Sequence, residues 1–173
     1  SAASDVYKRQ ELCFDVQALA QDVPIWVSVD QEGGRVARLR APFTEWPSMA
    51  ALGRLGDAGL VERFATALAG ELSAVGVTLD FAPVLDVRHD EADEVIGDRA
   101  LSRESIEVGR LGRVIIETLQ RNGVAACGKH FPGHGDARAD SRKELPVIDL
   151  PSEQLRGTEM TPFREAITGD VAA

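Results

Sequence analysis

The chain has 173 residues, 44% of them hydrophobic, enough for one compact domain with a core of its own. A formal net charge of -9 and a pI of about 4.8 argue against nucleic acid or an anionic membrane as partner, since both need a basic face. No apolar run approaches the roughly 20 residues of a membrane span, and no apolar signal-peptide stretch opens the chain.

Residues 1–10, SAASDVYKRQ, carry no hydrophobic periodicity. They are expected to be non-native, so the domain is taken as 11–173. Residues 11–20 predict a short helix or its tail. Cys13 there, and Cys127 further on, lie in apolar contexts without metal-ligand spacing, which predicts buried, reduced thiols. PIWVSVD (24–30) is an apolar, β-branched run ending on an acid and predicts a strand. DQEGGRVARLR (30–40) follows as a loop. From Asp57 to Val75, Leu60, Phe64, Leu68 and Leu72 recur every four residues, widened by Val61 and Val75. That is a helix, with Asp57 to cap its start and Gly76 to end it.

VTLDFAPVLDV (77–87) predicts a buried strand interrupted by Pro83. A second helix is expected from about Arg103 to Arg121, with Val108, Leu111, Ile115 and Leu119 inward, Ser102 ahead of it and Asn122-Gly123 stopping it. VAACGKH (124–130) predicts a third strand. SEQLRGTEM and PFREAI predict a helix pair, with Thr161 and Pro162 opening the second piece. DVAA at the end predicts the start of a fourth strand.

Strands alternating with helices imply βαβ units and a parallel sheet. Each strand ends on polar groups: Asp30, Asp86, then Lys129 and His130. In a (β/α)₈ TIM-type barrel those ends carry the active site. A doubly wound sheet would want a glycine-rich phosphate turn, and the two acids of DQEGGR would repel a pyrophosphate. The expected fold class is therefore α/β, a (β/α)₈ barrel. A barrel typically takes about 250 residues. The chain is accordingly expected to be a truncated first half of one, lacking the later strands.

Asp30 can accept two hydroxyls at once, having two carboxylate oxygens and no donor. Arg38 can lie beside it as a fixed fork of donors. A solvated turn with a surface ion pair is the plainer alternative. Arg99, in IGDRALS (96–102), could equally be a loop anchor, and His89, in an acidic run, is expected on a surface loop. The densest stretch is GKHFPGHGDARADSRKELPVID (128–149). Pro132, Gly133 and Gly135 forbid a continuing helix, so His130 and His134 are not a helical zinc pair. A loop metal site from His130, His134, Asp136 and Asp140 would make a metal-dependent barrel hydrolase, the rival reading. A purely structural loop is the plain one.

Together DQEGGRVARLR, LDFAPVLDV, IGDRALS and GKHFPGHGDARADS resemble, in order and spacing, blocks of the bacterial β-N-acetylhexosaminidases of glycoside hydrolase family 3. The resemblance runs from about Val23 to the C-terminus. It implies a (β/α)₈-type barrel, a cytoplasmic enzyme, monomeric when full length, without metal or organic cofactor. It implies removal of a terminal β-linked N-acetylglucosamine, typically from cell-wall muropeptides during recycling, with retention of configuration. It places Asp30, Arg38, Arg99, Lys129 and His130 around the sugar. It puts the nucleophile, an aspartate, near the end of a later strand, which this chain does not reach. The family's acid/base is a histidine in an Asp-Ser-His triplet. Here the triplet reads Asp140-Ser141-Arg142. An arginine stays protonated, with a pKa above about 12, and cannot cycle a proton at neutral pH. Three readings follow: Arg142 is a sequence error or variant, one base from a histidine codon; the protein has lost efficient hydrolysis and kept sugar binding; or another group such as His134 takes the proton role.

Overall fold

The computed structural model describes residues 2–89, 95–135 and 150–173. Helix α1 (Ala2–Ala18) takes in the helix expected over 11–20 and most of the residues set aside ahead of it. Gln10 and Gln17 donate to the carbonyls of Ala74 and Gly76, at 3.1 and 2.9 Å, and tie α1 across the molecule. Strand β1 (Ser28–Val29) is shorter than the run 24–30; just ahead of it, the Val27 carbonyl still accepts from Thr78 and Leu79 at 2.9 and 3.2 Å.

The stretch expected to be a loop is instead an antiparallel hairpin, β2 (Gln31–Gly33) and β3 (Val36–Ala37). Its turn uses Gly33 and Gly34 at φ 98° and 57°, a region that suits glycine. The buried Gln31 side chain closes it. Its Oε1 accepts from the N–H of Arg38 and Leu39, at 2.8 and 3.0 Å, and its Nε2 donates to the Leu39 carbonyl at 2.9 Å.

Helix α2 (Met49–Leu55) was not legible in the sequence; seven residues hold too few turns for a periodic signal. Helix α3 (Ala58–Ala74) follows the predicted stripe, burying Val61, Phe64, Leu68 and Leu72. Asp57 caps it by accepting from Gly59 and Leu60 at 2.8 and 3.1 Å. Strand β4 (Leu79–Asp80) leads to a 3₁₀ turn at Gly97–Arg99. Helix α4 (Ser105–Arg121) buries Val108, Leu111, Ile115 and Leu119 as expected, and β5 (Ala125–Ala126) follows. The helix pair is α5 (Ser152–Gln154), a π turn (Leu155–Glu159) and α6 (Thr161–Thr168).

The three long-range strands pair in parallel in the order β1-β4-β5, with Val29 beside Asp80 and Asp80 beside Ala126. Ala173 donates to the Ala126 carbonyl at 3.2 Å and accepts from Gly128 at 3.0 Å, the bonding pattern of a further parallel neighbour. Spatial order follows chain order, as in a barrel; a doubly wound sheet reverses at a switch point. The structure is thus an α/β arc of a TIM-type barrel, with α3 and α4 forming its outer layer. Its core joins α3, α4 and α6 to Leu85 and Val87. Leu85 fits because Gly112 and Gly128 leave space; a Cβ at either would sit 2.5 and 2.7 Å from its methyls.

Candidate functional site

Parallel strands bring their C-terminal ends to one edge. There Asp30 follows β1, Asp86 follows β4, and Lys129 and His130 follow β5. Lys129 is held in the sheet through a parallel bridge to Val84. These ends open onto a cleft of about 510 Å³ lined by Asp30, Glu32, Arg35, Val36, Arg38, Val95, Ile96, Arg99, Lys129, His130 and His134.

Its charged groups form one network. Lys129 Nζ lies 2.9 Å from Asp30 Oδ1 and 2.6 Å from Glu32 Oε1. Arg99 grips Glu32 with two parallel bonds, Nε to Oε2 and Nη2 to Oε1, each 2.8 Å. Arg38 Nη2 lies 3.6 Å from Asp30 Oδ2. Burial pushes the Asp30 carboxyl up, but Lys129 and Arg38 outweigh it and hold it below its ordinary value. Burial acts likewise on Glu32, and the bonds from Arg99 and Lys129 win there too. Both acids are therefore anionic at neutral pH and act as acceptors.

Asp86 is fully buried and accepts three bonds. His130 Nδ1 approaches at 2.6 Å, and the backbone N–H groups of His130 and His134 donate at 3.2 and 2.7 Å. A carboxylate can only accept, so the partner fixes the proton on Nδ1 and leaves Nε2 of the neutral ring with a lone pair. That Nε2 lies 3.4 Å from Arg99 Nη2. The His134 ring meets the His130 ring edge-on, centroids 5.9 Å apart. Both its nitrogens are enclosed and have no hydrogen-bond partner among the described residues.

Asp80 lies under this network. Oδ1 accepts from the Gln31 N–H at 2.9 Å, while Oδ2 has no partner among the described residues. Burial pushes its carboxyl up to about 7, against the Gln31 bond and the Lys129 charge. Its ordinary value is about 3.9, so between those pH values the folded chain holds a proton that the unfolded chain has lost. Stability from this group falls as pH rises through that window. Asp80→Asn is therefore expected to raise the melting temperature more at pH 8 than at pH 5. Equal shifts at both, in thermal melts of the whole protein, would contradict it.

The structure brings Asp30, Arg38, Arg99, Lys129, His130 and His134 together. Asp140 and Arg142 lie outside the described residues, as does Asp136 of the metal alternative. Among the described residues no group of three or more His, Cys, Asp or Glu could hold a metal ion. Sequence reasoning gave no role to Glu32, although its acid had been counted in DQEGGR. It noted Asp86 only as a strand end. His89 is the exposed loop residue expected, and it also pairs with the buried Glu159, which reaches it from the π turn. Cys13 and Cys127 are free and half-buried, and burial raises both thiols.

A beta-hexosaminidase of Idiomarina loihiensis is 42% identical over 162 residues, which are 91% of this chain and 48% of that protein. NagZ from Neisseria gonorrhoeae, solved in complex with N-trifluoroacetyl-D-glucosamine, superposes with a TM-score of 0.90 at 34% identity over 97% of this chain and 51% of that one. A glycoside hydrolase family 3 beta-N-acetylglucosaminidase from Paenibacillus sp. str. FPU-7 gives 0.89 at 40% identity over 94% and 32%. The chain spans about half the length of the curated relatives it matches. Residues 3–173 match the glycosyl hydrolase family 3 N terminal domain, and the chain belongs to that family.

Proposed function

We propose that this chain forms the sugar-binding part of a retaining β-N-acetylhexosaminidase that removes a terminal β-linked N-acetylglucosamine. The observation that carries the reading is the network of Asp30, Glu32, Arg99, Lys129 and His130 at the strand ends. It offers acceptors and donors in alternation, as a ring of vicinal hydroxyls requires. Asp30 accepts ring hydroxyls on one side, and Lys129 and the His130 Nε2 lone pair meet those on the other. The relatives named for this activity, and the aminosugar analogue bound by the Neisseria protein, support the substrate class.

In retention a carboxylate attacks the anomeric carbon while an acid protonates the leaving oxygen. Water then attacks the glycosyl-enzyme and the same group takes the proton back. In this reading Asp140 and Arg142 stand at the acid/base position, and the nucleophile comes from sequence beyond Ala173. The substrate is a muropeptide, and the enzyme is a cytoplasmic monomer. No helix among the described residues is long and apolar enough to cross a membrane. Arg142 favours a second reading, a relative that binds the sugar without turning it over.

The test is the product formed by the whole protein from an aryl β-N-acetylglucosaminide, followed by proton NMR with and without EDTA. The β-anomer appearing first, unaffected by EDTA, is the expected result. An α-anomer first, or loss of activity with EDTA, would overturn the reading. Binding without product would select the sugar-binding protein.

A further inference from the structure

Glu32 has a side chain only 1% exposed, yet its two oxygens take three donor bonds from two cations. The cations come from different places. Arg99 belongs to the 3₁₀ turn after β4, Lys129 to the end of β5, and Glu32 to β2. The paired bonds to Arg99 stop its guanidinium from rotating. On Lys129, Glu32 and Asp30 occupy two of three ammonium protons, so the third is aimed rather than free to swing. The same hairpin holds the Arg99 turn a second time: Arg35 donates to Asp98 Oδ1 and to the Val95 carbonyl, both at 2.9 Å.

We propose that Glu32 is the positioning residue of the cleft, a buried carboxylate that fixes Arg99 and Lys129 relative to each other and so sets the spacing of the donors offered to a sugar. It is too enclosed to make the sugar's main contacts itself. Burying such a triad is a poor way to gain stability, because desolvation offsets most of the attraction. What the triad does supply is a fixed geometry. The inference rests on the sugar-binding reading above.

The experiment is calorimetric titration of N-acetylglucosamine into the whole protein, with thermal melts on each variant. Glu32→Gln removes the charge and is expected to weaken binding more than tenfold. Because it removes the counter-charge that Arg99 and Lys129 share, leaving Lys129 with Asp30, folding is guarded by a second variant. Glu32→Asp keeps the charge but is one methylene shorter, so it cannot reach both cations. It should melt within a few degrees of wild type and bind about tenfold more weakly. Lys129→Met is then made in both backgrounds. Positioning predicts that it weakens binding less beside Glu32→Asp than in wild type, since Lys129 is already misplaced there. A merely structural Glu32 would give equal factors. Unchanged affinity in a folded Glu32→Asp protein, or equal Lys129→Met factors, overturns the proposal. A wild-type protein that binds no sugar overturns the sugar-binding reading beneath it, a separately visible failure.

Discussion

Replacing Arg142 by histidine is expected to raise the whole protein's turnover of alkyl β-N-acetylglucosaminides by about 10²- to 10⁴-fold, the usual worth of a positioned general acid. An alkoxide is a poor leaving group and has to be protonated as the glycosidic bond breaks. A guanidinium holds its proton too tightly to give it, and holds it still when a base is needed in the second step. An imidazole at position 142, two residues after Asp140 in sequence, can do both near neutral pH. Aryl glycosides have leaving groups that need little protonation, so they should gain far less. The check is kcat/KM of wild type and Arg142→His on a methyl and a nitrophenyl glycoside. Equal gains on both, or none, would show that position 142 does not carry the proton.

Asp86→Asn is expected to weaken sugar binding by about 10- to 100-fold and to cost about 1.5–3 kcal/mol of stability, as lost bonds to a charged group do. The asparagine keeps one acceptor oxygen. If that oxygen continues to serve the N–H groups of His130 and His134, its NH₂ group faces His130 Nδ1. Two donors cannot share that contact, so the ring must move its proton to Nε2. Nε2 would then point a donor toward Arg99 Nη2, 3.4 Å away in the wild type, and the acceptor offered to the sugar is lost. Nitrogen NMR of the imidazole, together with sugar titration, reads both consequences. An unchanged tautomer with unchanged affinity would show that Asp86 serves the fold alone.

The helices that cover the sheet were legible because each is long enough to repeat its apolar stripe. Leu68 and Leu72 in α3, and Leu111 and Ile115 in α4, face inward where the spacing put them. The strands were legible in position, as β-branched runs ending on polar residues, though pairing trims them to two residues each. Their chemistry was legible for the same reason: a parallel sheet gathers Asp30, Lys129 and His130 whatever the loops do. The hairpin β2–β3 was hidden because what closes it is the Gln31 amide bonding the backbone at Arg38 and Leu39, which no periodicity announces. Glu32 was hidden by distance, its partner Arg99 lying 67 residues on. The exposed loop position of His89 was legible from its acidic neighbours, but its partner, Glu159, lies 70 residues away and was not. Local sequence reports what a residue could do; the long-range partner decides which of those things it does.

If the strand-end network binds the sugar, titrating N-acetylglucosamine into the whole protein and into its Lys129→Met variant separates the two. The wild type should bind, and the folded variant should bind at least tenfold more weakly, because Lys129 joins Asp30 to Glu32 at the centre of the cleft. Equal affinity in the two folded proteins would place the sugar elsewhere and contradict the account.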